Sequence, residues 1–265
     1  MTTAPPSDRS ALHSRGLVPP PPRLLQTRFV FSPPGIEPGG FFSSAAASRS
    51  AAMSNPRVRV EMLVERPGSA SARFTPLARA FFARNAVEVA PDLVGCVLVR
   101  RSADGLRAAR IVETEAYVGE HDLACHARAG RTGRTDVMYG EPGHAYVYLI
   151  YGVHPMLNAV CSPEGEASAV LIRAAEPLQV PGLLPLLHSA SGPGNLCKAL
   201  DVRLRHNRDD LCDESAELFI APRSGSSPRL WKGPRVGVEY SGRWARRKLR
   251  FCDRDSRAVS RPRPS

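Results

Sequence analysis

Ile111-Val112-Glu113-Thr114-Glu115-Ala116-Tyr117 reads as the end of a β-strand that begins near Ala108, with side chains alternating between two faces. On that alternation Ile111, Glu113, Glu115 and Tyr117 share one face, and Val112, Thr114 and Ala116 the other. Two carboxylates and a tyrosine are a poor choice for a packing face. The face is therefore either a solvated edge or the lining of a polar pocket that holds a carboxylate against an aromatic ring.

The segments on either side give this strand its partners. Upstream, Cys96-Val97-Leu98-Val99 reads as a buried strand and Ala103-Asp104-Gly105 as the hairpin turn between the two. Before them, Thr75-Pro76 is a helix start, with Leu77, Ala80 and Phe81 at helical spacing, and a second helix covers Asn85 to Leu93. Downstream, a Gly/Arg-rich loop from Gly119 to Gly143 is followed by strands at Ala145–Tyr151, around Asn158–Val160, and at Ser168–Arg173. Short strands with hairpin-type links and a few helices predict a single α+β domain on a curved, mostly antiparallel sheet.

Within Tyr146-Val147-Tyr148-Leu149-Ile150-Tyr151, Tyr148 and Tyr151 point to different faces unless the strand ends between them. One ring suits a pocket, and the other, just before Gly152, suits a stacking wedge at a hairpin tip. Ordinary aromatic packing of a sheet is the competing explanation. In the loop, Cys125 to Arg134 holds His126 and three arginines at spacing three, Arg128, Arg131 and Arg134, among glycines that allow close approach to a phosphate backbone. From Arg243 to Ser265 the chain has nine basic residues against Asp253 and Asp255, and Gly242–Arg250 reads either as a solvated face or as a second backbone-contacting surface.

Composition sets the broad class. The 265 residues carry a formal net charge of +11, and with only Lys198, Lys232 and Lys248 as lysines, 33 of the 36 basic residues are arginine. That balance points to a polyanionic partner. No run of 18 or more apolar residues is present to span a membrane, and the six cysteines have neither CxxC nor zinc-ligand spacing, so neither a metal nor a disulfide framework is expected. Residues 1–72, rich in Pro, Ser, Ala and Arg, predict a disordered extension. It is either an organelle transit peptide or a non-native stretch upstream of a start at Met53. The domain is expected over 73–260, with 261–265 as a basic tail.

In order along the chain, Arg110-Ile111-Val112-Glu113-Thr114-Glu115-Ala116-Tyr117-Val118-Gly119, then His126, Tyr146 to Gly152, Asn158, Leu171-Ile172-Arg173-Ala174 with Glu176-Pro177, Ser191-Gly192-Pro193-Gly194, Arg235-Val236-Gly237-Val238 and Trp244-Ala245-Arg246 resemble the blocks of the alkyladenine (3-methyladenine) DNA glycosylase family, the type without a helix-hairpin-helix. The resemblance implies a base-excision-repair hydrolase that flips damaged purines (3-methyladenine, 7-methylguanine, hypoxanthine, ethenoadenine) from duplex DNA and leaves an abasic site. It implies Glu115 as the base that activates water, with Arg173 beside it. Tyr117, His126, Tyr148 and Asn158 would form the base slot, Tyr151 on a protruding hairpin would be the intercalating wedge, and Arg128, Arg131, Arg134 and Arg246 would meet the DNA backbone. A monomer acting without cofactor or membrane, wherever the cell keeps its DNA, is implied as well. The alternative is a damaged-DNA binder that keeps the fold without turnover. Three departures stand out: Gln179–Ser189 is short and apolar where the family has an Arg-containing helix, Val153-His154-Pro155 is unusual after a wedge, and residues 1–72 have no counterpart in the family pattern.

Overall fold

Strand β1 (Val97–Ser102) turns at Ala103-Asp104 into β2 (Gly105–Tyr117), whose 13 residues form the spine of the molecule. The computed structural model describes residues 72–223 and 225–264, so the extension expected before Ala72 lies outside the described residues. Beyond β2 come β3 (Ala145–Ile150), β4 (His154–Val160), β5 (Ala169–Pro177), β6 (Leu218–Ala221), β7 (Leu230–Gly233) and β8 (Arg250–Asp253). They form one eight-stranded sheet in the order β3-β4-β5-β2-β1-β6, with β8 joining β2 to β7 and each pairing antiparallel. The expected α+β class and curled antiparallel sheet are what the chain adopts.

β2 changes neighbours halfway along. Up to Arg110 it pairs with β1, and from Glu113 to Glu115 it pairs with β8, while β5 runs along its other edge from Ala109 to Tyr117. At the changeover the β5 register jumps from Ile111↔Ala175 to Glu113↔Ala174, leaving Val112 as an extra residue, and on β5 Arg173 is skipped before Thr114↔Ile172. Bulges of this kind bend a strand and re-aim its side chains. Simple alternation therefore fails here: Ile111 packs with Ala116 in the main core instead of beside Glu113, and Val112 joins a separate cluster with Ala174, Cys252 and Val259.

The helices cover the core face of β2. Helix α2 (Ala86–Leu93) starts at Asn85, whose side chain accepts from the Val87 N–H, and buries Val89, Ala90 and Leu93. At its far end Thr114 Oγ1 donates to the Ala90 carbonyl at 2.8 Å, so the core face of β2 satisfies a carbonyl of the helix. Helix α1 (Arg79–Phe82) is shorter than the Thr75-Pro76 start predicts. The Leu77 N–H is taken by the Ile220 carbonyl on β6, which keeps residues 75–78 extended, and the buried ring is Phe82 instead of Phe81. Helix α3 (Pro193–Ala199) packs against β4 and β5. Residues 179–189 form no helix, and Leu178, Val180, Leu183 and Leu186 lay apolar side chains onto the core in its place. Pro155 lies in the part of β4 that has β3 on one side only, where a missing N–H is tolerated. No helix among the described residues is long and apolar enough to cross a membrane.

Candidate functional site

The non-core face of β2 carries Glu113, Glu115 and Tyr117, and the two carboxylates, two residues apart, sit in different surroundings. Glu113 is fully buried, and its Oε1 accepts from Arg173 Nε and Arg250 Nε, both at 2.7 Å, and from Ser260 Oγ at 2.9 Å. Its Oε2 accepts from the Ser260 N–H at 2.7 Å. Burial pushes this carboxyl up, but the two guanidiniums and the backbone donor outweigh it and hold Glu113 below its ordinary value. Arg250 is therefore an internal counter-ion, which corrects the expectation that the whole Gly242–Arg250 stretch faces DNA.

Glu115 is equally enclosed but less well paired. Its Oε1 accepts from the Val236 N–H at 2.8 Å, with Arg173 Nε at 3.4 Å, and its Oε2 accepts from the Tyr117 hydroxyl at 2.9 Å. Here burial outweighs the Arg173 charge and both hydrogen bonds, and the carboxyl sits above its ordinary value. A carboxylate held uneasily ionised is a better proton acceptor than a solvated one.

Beside the groups that hold Glu115 lies a cavity of about 450 Å³, with Glu115 itself behind its wall. Tyr117, Arg173 and Val236, the three residues that touch the Glu115 carboxylate, all line it, as do His126, Tyr148 and Asn158. The sequence-identified set is thus brought together from four segments: β2, the loop after it, the β3–β4 hairpin and β5. The His126 and Tyr148 rings meet edge to face with centroids 4.5 Å apart, and His126 Nδ1 is 3.0 Å from the Tyr146 hydroxyl. Burial, with Arg134 and Arg128 nearby, pushes the His126 imidazole down to about 4, so the ring is neutral at physiological pH. Asn158 is buried and fixed by its Nδ2 donating to the Tyr146 carbonyl at 3.0 Å.

Tyr151 marks the mouth. It caps the β3–β4 hairpin at 87% exposure, and the Val153 N–H closes the turn on the Ile150 carbonyl. Both central residues have positive φ, 52° at Tyr151 and 72° at Gly152, as in a type I′ turn. A tyrosine forced into the left-handed region costs about 1–2 kcal/mol, and strain of that kind collects at functional sites.

The three loop arginines diverge. Arg134 lines the cavity with its guanidinium carbon 5.0 Å from the Tyr148 centroid, and Arg128 lies 5.6 Å from the exposed ring of Tyr240. Arg131 instead pairs with Asp136 at 2.8 Å and covers Tyr139. Arg246 is exposed on the short 3-10 segment Glu239–Arg246.

Sequence reasoning missed what the Arg235–Tyr240 segment does. Val236, Gly237, Val238 and Tyr240 line the cavity, and Arg235 forms a fully buried ion pair with Asp122. The only sequence signal for any of these was the Arg235-Val236-Gly237-Val238 block, because Asp122 and Arg235 lie 113 positions apart.

Comparison with known proteins places this arrangement. The family model described as methylpurine-DNA glycosylase matches residues 80–257. A protein of Anaeromyxobacter dehalogenans strain 2CP-C, named "Putative 3-methyladenine DNA glycosylase", is 53% identical over 189 residues, covering 71% of this chain and 88% of its own. Proteins with the same name from Myxococcus xanthus and Legionella pneumophila strain Paris are 48% and 43% identical, covering 71% and 70% of this chain and 95% and 98% of their own.

Proposed function

The chain belongs to the methylpurine-DNA glycosylase family, and from that premise we propose that it is a DNA-repair hydrolase that draws damaged purines out of duplex DNA and cuts their N-glycosidic bond. One observation carries this reading: an enclosed carboxylate, Glu115, whose three contacts are all cavity-lining groups, beneath aromatic walls and beside an exposed tyrosine.

The reaction breaks the bond between the sugar C1′ and the purine nitrogen through an oxocarbenium-like state, and water adds to C1′. Ionised Glu115 stabilises the positive sugar and takes the proton from the water. Arg173, bonded to Glu113, orients that carboxylate while leaving it basic. Flipping costs a few kcal/mol of unstacking, least at a damaged or mispaired base. Tyr117, His126 and Tyr148 then receive the base, Tyr151 fills the gap it leaves, and Asn158 disfavours the exocyclic amine of undamaged guanine, a penalty that 7-methylguanine offsets through its cationic charge and easier departure. A purine already made cationic by alkylation stacks well on the tyrosine faces and leaves easily. Neutral His126 adds no charge to oppose it. Arg128, Arg134 and Arg246 are assigned to the phosphate backbone, and Arg131 joins them only by leaving Asp136. The lesions acted on are 3-methyladenine, 7-methylguanine, hypoxanthine and ethenoadenine, and the domain that acts is 73–260, as a monomer.

The test is a base-release panel on duplexes holding each of those lesions. Release by the wild-type protein, abolished in Glu115→Gln with lesion binding retained, is the expected outcome. Salt-sensitive binding without release by the folded wild-type protein would refute it.

A further inference from the structure

Asp122 and Arg235 have no part in the scheme above, yet their side chains are wholly buried. The Arg235 fork donates Nη1 to Asp122 Oδ2 and Nη2 to Asp122 Oδ1, the latter at 2.8 Å, and Nη1 also donates to the Ala116 carbonyl at 2.9 Å. Burying an ion pair is a poor way to stabilise a fold, because desolvation takes back most of the attraction. Such a pair is better explained by what it holds in place.

It joins three of the segments from which the site is built: β2, the loop after it and the Arg235–Tyr240 segment. The Ala116 carbonyl lies between Glu115 and Tyr117 on β2. Asp122 accepts from the Val118 N–H at 3.3 Å and the Ala124 N–H at 3.0 Å, which shapes the loop that delivers His126. The peptide after Arg235 supplies the Val236 N–H that is bonded to Glu115. In addition, the Arg235 guanidinium carbon lies 4.6 Å from the Tyr117 centroid, and Arg235 Nε is buried without a hydrogen-bond partner. Arg235 does not itself line the cavity, so the cation acts from behind Tyr117.

We propose that the Asp122–Arg235 pair is a positioning device for the proposed base-release reaction, one that sets the Tyr117 wall, the His126 loop and the Val236 donor to Glu115 in a single register. This rests on the glycosylase reading and adds two residues that touch neither DNA nor the attacking water. None of the arginines assigned to the phosphate backbone is bonded to the pair, so disturbing it slows chemistry more than it weakens DNA binding.

The experiment compares the wild-type protein with Arg235→Lys and Asp122→Asn. Single-turnover base release is measured on a hypoxanthine duplex, and affinity on the same duplex with a 2′-fluoro sugar that resists cleavage. Lysine keeps the charge and one bond to Asp122 but loses the fork, so the protein should fold while release slows about tenfold to a hundredfold, the range expected for small misplacement of reacting groups. Affinity should stay within about twofold. Should Asp122→Asn not fold, Arg235→Lys decides alone. Wild-type rates in Arg235→Lys, or rate and affinity falling together, would overturn the inference. Absence of release by the wild-type protein would overturn the proposed function itself, and this inference with it.

Discussion

Replacing each of the two β2 carboxylates by its amide should separate stability from activity, and the hydrogen-bond partners say why. Every group facing Glu113 is a donor to its oxygens: Arg173 Nε, Arg250 Nε, the Ser260 N–H and the Ser260 hydroxyl. In Glu113→Gln the new NH₂ must confront either the guanidiniums or the Ser260 N–H, so neither orientation of the amide is satisfied. The charge is lost as well, leaving one of two buried cations without a counter-ion. Breaking a buried pair from one side costs about 3–5 kcal/mol. At about 2–4 °C per kcal/mol for a domain of this size, Tm should fall by about 6–20 °C.

Glu115 faces a different set, the Val236 N–H on one oxygen and the Tyr117 hydroxyl on the other. In Glu115→Gln the carbonyl keeps the Val236 donor, and the NH₂ donates to the Tyr117 oxygen, because a hydroxyl can reverse its role. The charge removed is one the fold disfavours. With a folded pKa above 4.5, ionised Glu115 destabilises the protein at higher pH, and the penalty disappears as pH falls toward 4.5. Glu113 has the opposite sign: its stabilisation is present above 4.5 and is lost as pH falls through its lowered folded value. Glu115→Gln should therefore melt at or above the wild-type temperature while releasing no base. Thermal melts at pH 7 with single-turnover release on the same preparations decide the matter. A loss of Tm in Glu115→Gln as large as in Glu113→Gln, or a wild-type Tm in Glu113→Gln, would refute the assignment of the two carboxylates to separate tasks.

On a duplex carrying 7-methylguanine, whose cationic base leaves without further protonation, the pH profile of release should show an acid limb above 4.5, where raised Glu115 takes up its proton; a limb at or below 4.5 would contradict the burial argument. Tyr151→Ala should weaken the flipped state by about 1–3 kcal/mol, the worth of one aromatic stacking contact, read from ethenoadenine fluorescence. Tyr151→Gly should lose the same binding and gain about 1 kcal/mol of stability through relief of the left-handed strain, and equal melting of wild type and Tyr151→Gly would show that φ of 52° carries no cost.

What was legible in the sequence was whatever depends on neighbours within a few residues. Helix α2 and the Ala103-Asp104 turn follow from local pattern, and the structure has both, whereas β3 ends at Ile150, before Tyr151, so alternation does not set the direction of that ring. The start of α1 was misjudged because the fate of the Leu77 N–H is settled by β6, some 143 positions later. Ile111 was assigned to the wrong face for the same reason: the bulge at Val112 arises where β2 exchanges β1 for β8, and nothing within the strand announces it. Arg250 looked like one more surface cation because its carboxylate partner, Glu113, is 137 residues away.

The bulge is also what makes the site workable. In a strand, two carboxylates two residues apart on one face lie only about 7 Å from each other, so one long cationic side chain can reach both. Here one extra residue on β2 and one skipped residue on β5 bring Arg173 within 2.7 Å of Glu113 yet leave it 3.4 Å from Glu115. A single arginine is thus shared unequally. The carboxylate that gets the short contact, along with Arg250 and Ser260, becomes a structural anchor with a lowered pKa. The one that gets the long contact retains a raised pKa, the condition that the proposed attack on C1′ asks of its base. Deleting Val112 alone would leave the skipped Arg173 without its compensating residue and slip β2 against β5 by one position, so the irregularity that defeats a reading by alternation is the same feature that gives Glu113 and Glu115 their separate surroundings.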